Sequence, residues 1–143
     1  MCGAHAAVRH LVGGMLEDGD RVTIIDMEAG LEHLSRATGR HVDTLLVTLE
    51  PYYKALETAR RCAALGRELG IHRIVGVPNK IHDAHDAAAV SDFASTHDIP
   101  TLVSIPFDDG IRRADLEGTP IAEGSPAVSA IERLAAGLLT HQI

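Results

Sequence analysis

The chain has 143 residues, enough for one domain with a real core, and its 45% hydrophobic content argues against disorder. Thirteen Lys and Arg against twenty Asp and Glu leave a net charge of −7. That balance excludes a nucleic-acid partner held by bulk charge, because counterion release needs basic clusters; only local spots such as Arg112-Arg113 remain.

No apolar run is long enough to cross a bilayer, and "MCGAHAAVRH" is not a signal peptide, so no membrane partner is expected. Two cysteines, Cys2 and Cys62, make no disulfide framework, which fits a cytoplasmic protein. Aromatic residues are 3% and Trp is absent, so the core must come from Val, Ile, Leu and Ala. Such composition is common where strands of a parallel sheet are covered on both faces.

Along the chain, residues 4–17 read as a helix and "RVTIID" (21–26) as a buried β-branched strand. Residues 28–40 form a loop and short helix, and "VDTLLVTLE" (42–50) a second strand. Pro51 opens a helix whose apolar stripe is Tyr52, Leu56, Ala59, Ala63, Gly66 and Leu69, with Gly70 suited to its C-terminal cap. "HRIVGVPN" (72–79) is a third strand, 83–97 an Ala-rich helix, and "IPTLVSIP" (99–106) a fourth strand. A short helical excursion follows at 108–118. Residues 125–139 close the chain as a helix capped by Ser125, with Pro126 at its first position and Ala127, Ile131, Leu134 and Leu138 as its stripe.

Strands alternating with helices imply a single three-layer α/β/α domain, spanning 1–143, with a mainly parallel sheet of four strands. Ligands in such sheets bind beyond the carboxyl ends of the strands. Those ends carry Asp26, Glu50, Asn79-Lys80 and Pro106-Phe107-Asp108. Asp26 either binds Mg²⁺, directly or through water, or caps the next turn. Gly30 can bring a backbone N–H close to a phosphate because it has no Cβ. Asn79 can offer its amide to a purine edge, and the Lys80 stem can pack over a base; equally, an Asn-Lys pair is ordinary turn chemistry. Pro106, Phe107 and Asp108 begin a loop that either walls a base or merely connects. His82, His85 and Asp86 either chelate a transition metal or form a solvated helix start with Asp83 as its cap. Cys62 reads as packed on its helix.

Taken in order, three stretches resemble the deviant-Walker-A ATPases of the MinD/ParA type, and within them the CooC group. "IIDMEAGLEHLSRATGRHVDTLLVTLEP" is similar to that group's switch II region and following strand, and "RIVGVPNKI" to its adenine-side strand. "IPFDDGIRRADLEGTPI" is similar to the family loop IP-x-D-x-x-x-x-x-A-x-x-x-G-x-P. "MCGAHAAVRHLV" resembles the segment carrying a Cys-x-Cys pair, of which Cys2 would be the second cysteine.

The resemblance implies ATP or ADP with Mg²⁺ as cofactors, Asp26 serving the metal and Gly30 sensing the γ-phosphate. It places Asn79, Lys80, Pro106, Phe107 and Asp108 around the adenine. It implies a homodimer or an intact ATPase subunit as partner, and nickel delivery to a client such as carbon monoxide dehydrogenase. Cys2 and nearby histidines would then touch nickel or zinc. The family's KGGxGKTT loop, first strand and first helix have no counterpart in these 143 residues. ATP hydrolysis by this chain alone is therefore not expected, and a non-catalytic interaction module or a small metal-binding accessory protein are the alternatives. Carried over, the absent strand belongs between residues 21–26 and 43–49. These either pair directly or leave a gap that another polypeptide can fill by strand addition.

Overall fold

In the computed structural model, which describes residues 22–26 and 42–140, the alternating pattern produces two parallel strands and four helices among the described residues. Strand β1 is Thr44–Leu49 and β2 is Arg73–Pro78; they pair in the order β1-β2. Helix α1, Tyr53–Glu68, makes the crossover between them, as two parallel neighbours require. Then follow α2, Ala84–Thr96, α3, Asp109–Glu117, and α4, Pro126–Leu139. The alternation of strands and helices is that of an α/β fold with a parallel sheet, as expected.

The described residues fall into two units, one holding 22–26, 42–45 and 61–74, the other 46–60 and 75–140. In the first, α1 ends where Gly70 takes φ +81°, a left-handed value that glycine reaches without a Cβ penalty. Its N–H donates to the Arg67 carbonyl, and Ile71 N–H reaches the Gly66 carbonyl, satisfying the helix's last acceptors. Ala63, Ile71 and Ile74 are buried there. Residues 22–26 depart from expectation. They carry no strand, and Val22 and Ile24 are 71% and 88% exposed. A β-branched run becomes a strand only where a neighbour takes up its N–H and C=O groups, and the sheet among the described residues contains β1 and β2 alone. Among the described residues, 22–26 form no ladder with another segment, so the direct-pairing alternative is not present there. The helices expected at 4–17 and 28–40 lie outside the described residues.

In the second unit, β2 is buried from Val75 to Pro78, whereas β1 alternates, with Val47 and Leu49 buried and Leu46 and Thr48 exposed. The stretch 99–106, expected as a full strand, joins β2 only through isolated parallel bridges, Gly76 with Thr101 and Ile81 with Pro106. The reason is local. Pro100 and Pro106 have no N–H to give a ladder, so only some rungs form, such as Gly76 N–H to the Pro100 carbonyl at 2.7 Å. Helix α4 also sits differently from its predicted stripe. Ala127, Ala130 and Leu134 are buried while Ile131 is 48% exposed, a rotation by one position within the same helical period. Tyr52, placed on the α1 stripe from sequence, lies before the helix and is exposed.

The helix starts follow their sequence signals. Asp83 caps α2, accepting from His85 N–H and Asp86 N–H at 2.8 and 2.9 Å. Ser125 caps α4 through Val128 N–H at 3.2 Å, with Pro126 next. The Asp86 N–H, against an opposing cost of burial, and then the His85 N–H and the nearby His85 and His82 hold the Asp83 carboxyl below the usual carboxylate range. A depressed folded pKa means the charge stabilises α2 at neutral pH and that this contribution is lost as pH falls through the folded value, below about 4. Asp83→Asn keeps an acceptor without the titration. Urea unfolding at a series of pH values should show the parent ahead of this variant at neutral pH, the difference vanishing in acid; a pH-independent difference would contradict the assignment.

Gly76 lies where β2 is most tightly enclosed. A Cβ there would stand 2.7 Å from Leu49 Cδ1, 2.9 Å from Ile99 Cγ2 and 3.2 Å from Thr101 Cγ2. Two of these neighbours are β-branched and stiff at χ1, so they yield poorly. Gly76→Ala is expected to lower the unfolding free energy by about 1–3 kcal/mol, the usual cost of overpacking. An unchanged urea midpoint would show that the neighbours give way.

Candidate functional site

Parallel strands bring their carboxyl ends to one edge, and in the second unit that edge is assembled by backbone hydrogen bonds. Asn79 N–H donates to the Leu49 carbonyl at 2.9 Å, the last link between β2 and the end of β1. On its other side the same segment pairs with the stretch leading to Phe107. Ile105 N–H donates to the Pro78 carbonyl at 2.8 Å, Ile81 N–H to the Ile105 carbonyl at 3.3 Å, and Phe107 N–H to the Ile81 carbonyl at 2.9 Å. Asn79, Lys80, Pro106, Phe107 and Asp108, separated by up to 29 positions in the chain, are thereby drawn to one rim of this unit.

The side chains at that rim have distinct surroundings. Asn79 is half-buried, and its amide makes no hydrogen bond among the described residues. A partly desolvated amide with open donors and acceptor suits a ligand edge. Lys80 does not stand over open space. Its Nζ lies 2.9 Å from Glu50 Oε1 at the end of β1, and that hydrogen bond and charge push the ammonium pKa up. The Phe107 ring stacks on the His82 ring, centroids 4.2 Å apart and planes at 19°. Asp108 has a task that the sequence did not disclose. Its Oδ1 caps α3, accepting from Gly110 N–H at 2.8 Å and Ile111 N–H at 3.4 Å. Oδ2 is buried with no partner at hydrogen-bonding distance. Desolvation works against its charge, yet the Ser125 hydroxyl and the Gly110, Ile111 and Ala127 N–H groups hold the carboxyl below its ordinary pKa. The carboxylate thus serves the start of α3.

The remaining candidates divide. Asp26 is exposed, at the end of segment 22–26, which carries no strand. Gly30 and Cys2 lie outside the described residues. The metal alternative at 82–86 is not formed: His82 lies on Phe107, the Asp86 carboxylate accepts from His82 N–H at 3.1 Å, and Asp83 is the cap. Among the described residues no group of three or more His, Cys, Asp or Glu is placed to hold a metal ion. Burial pushes the half-buried Cys62 thiol up, which fits packing and not reactivity. No helix among the described residues is long and apolar enough to cross a membrane. An open cleft of about 220 Å³, lined by Pro78, Ala87, Ser91 and Thr101–Ser104, includes none of the predicted site residues.

Two residues of the rim escaped the sequence reading. Glu50 was visible as a strand end but carried no role, and His82 was read as a metal-ligand candidate or a helix-start histidine. Their partners, Lys80 and Phe107, are 30 and 25 positions away, so no local pattern joins them.

Comparison with known proteins follows the same lines. No family model matches the chain. It is 39% identical over 127 residues to the carbon monoxide dehydrogenase accessory protein CooC of Rhodospirillum rubrum, covering 89% of this chain and 48% of that protein. It is 33% identical over 135 residues to an uncharacterized ATP-binding protein of Methanocaldococcus jannaschii, covering 94% and 52%. The chain therefore spans about half the length of these relatives. Among solved structures, it matches MinD in the MinC:MinD cell division complex of Aquifex aeolicus with a TM-score of 0.73 at 20% identity, over 95% of this chain and 59% of that one. It matches the cell division ATPase MinD of Pyrococcus furiosus with a TM-score of 0.71 at 23% identity, over 92% and 58%. By sequence the chain is related to CooC, and by fold it is similar to MinD, over about half the length of each.

Proposed function

We propose that these residues form the base-side part of an ATP site, with the phosphates held mainly by residues outside this sequence. The observation that carries this is the open Asn79 amide at a rim shared with Pro106 and the fixed Phe107 ring. Asn79 would donate to a purine ring nitrogen and accept from its exocyclic amine, while Pro106 and Phe107 would flank the base. Asp108 would act by anchoring the loop, since its carboxylate caps α3. Asp26 would supply a carboxylate to Mg²⁺, and Gly30 a backbone N–H to the γ-phosphate. When bound, the metal would neutralise charge on the phosphates.

The sequence contains no glycine-rich loop with the lysines that cradle phosphates. Oriented donors of that kind are worth about 3 kcal/mol each in a dry site, so their absence removes most phosphate affinity. Adenosine and Mg-ATP should bind this chain with similar, weak affinity, followed by calorimetry or by NMR. Asn79→Ala should weaken both, and no ATP turnover should be detected. Micromolar Mg-ATP binding, far tighter than adenosine, would overturn the division of labour between the two ends of the nucleotide.

The finer reading is an assembly, as a homodimer or with an intact ATPase subunit, that serves nickel insertion into a client such as carbon monoxide dehydrogenase. Its support is the 39% identity to a protein named as an accessory of that enzyme. Cys2, with His5 three residues on, would offer the metal a thiolate and an imidazole. A nickel titration of the parent and Cys2→Ser chains tests this: affinity should fall at least tenfold in the variant, and an unchanged affinity removes Cys2 from the metal's path.

A further inference from the structure

We infer that Glu50 is a positioning residue for Asn79, acting through Lys80; this rests on the reading of Asn79 as a base-binding residue. The starting observation is backbone geometry. Two described non-glycine residues have positive φ, Lys80 at +56° and Asp98 at +53°. Asp98 follows the end of α2, where a left-handed residue is an ordinary terminator and Asp tolerates it. Lys80 ends no helix. A long side chain in the left-handed region persists only where its surroundings over-determine it.

Three constraints do so here. Before Lys80, Asn79 N–H is tied to the Leu49 carbonyl at 2.9 Å. After it, Ile81 N–H is tied to the Ile105 carbonyl at 3.3 Å. The third constraint is the side chain itself, whose Nζ reaches Glu50 Oε1 at 2.9 Å. Glu50 stands on a stiff base: the Tyr52 N–H donates to its carbonyl at 2.7 Å, and Pro51 fixes the intervening φ. If Lys80 leaves the left-handed region, the peptide between Asn79 and Lys80 turns, and the Asn79 side chain is aimed elsewhere. The ion pair therefore latches the turn that presents the amide.

Its two side chains are 53% and 26% exposed, so it contributes little to overall stability. The effect belongs in binding. An interaction of this strength changes an equilibrium by about two- to fivefold, which sets the scale to look for.

The test is an adenosine titration of the full chain, followed by NMR at the Asn79 side-chain amide, with urea unfolding run in parallel. Glu50→Gln should weaken adenosine binding about two- to fivefold with an unchanged unfolding midpoint. The charge-swapped double variant, Glu50→Lys with Lys80→Glu, should recover most of that loss. Equal binding by the parent and Glu50→Gln would overturn the role of Glu50 and leave the Asn79 reading standing. A loss of binding matched by a loss of stability would reduce Glu50 to a structural role and also overturn it. If adenosine causes no shift at Asn79 in the parent chain, the base-binding reading itself fails, and the role of Glu50 falls with it.

Discussion

The rim of this protein depends on one change of hydrogen-bonding partner along the backbone. At the end of β2 the Asn79 N–H bonds to β1 while Gly76 and Pro78 already pair with the 99–106 stretch; two residues on, the Ile81 N–H turns to that stretch as well. Lys80 is the residue between, and its left-handed backbone is where the change of direction is accommodated. Because every buried backbone N–H needs a partner, this exchange leaves little freedom in where Asn79, Pro106 and Phe107 can sit. Polar groups at the edge are held by main-chain bonds and not by side-chain packing alone, which is how a shallow site can be preorganised.

Charge is then arranged around helix starts. Asp83, Asp108 and Ser125 each occupy an N-terminal cap, and the two aspartates sit below their ordinary pKa because N–H groups favour the carboxylate. Asp108 shows how a family-like motif residue can serve its site indirectly. It sits next to Phe107 in sequence, yet its Oδ1 caps the start of α3. A carboxylate in this position fixes the loop's exit while leaving the ring of Phe107 to His82 on one side. The Glu50–Lys80 pair is different in kind, exposed and weak in stability terms, so its value lies in direction.

Much of the architecture was legible in short-range patterns. Gly70, Asp83, Ser125 and Pro126 mark helix ends through chemistry that acts over a few residues, and each occupies its expected place. The misreadings share a cause. "RVTIID" looked like a buried strand because β-branched composition is a property of the segment, whereas being a strand is a property of a pair. "IPTLVSIP" has the same composition, but two prolines withdraw the donors that a continuous ladder needs. Ile131 and Ala130 both fit a helical stripe, and only the surface opposite chooses between them.

The amino-acid sequence alone determined the alternation of strands and helices, the caps, and the polar character of the strand ends, because each follows from spacing and local bonding. It also carried the family likeness that places Asn79 and the 106–108 loop beside a base. Tertiary structure alone decided that Lys80 turns to Glu50 and that His82 covers Phe107. Those choices join residues 25 to 30 positions apart, and such contacts exist only once the backbone has brought their elements to one edge.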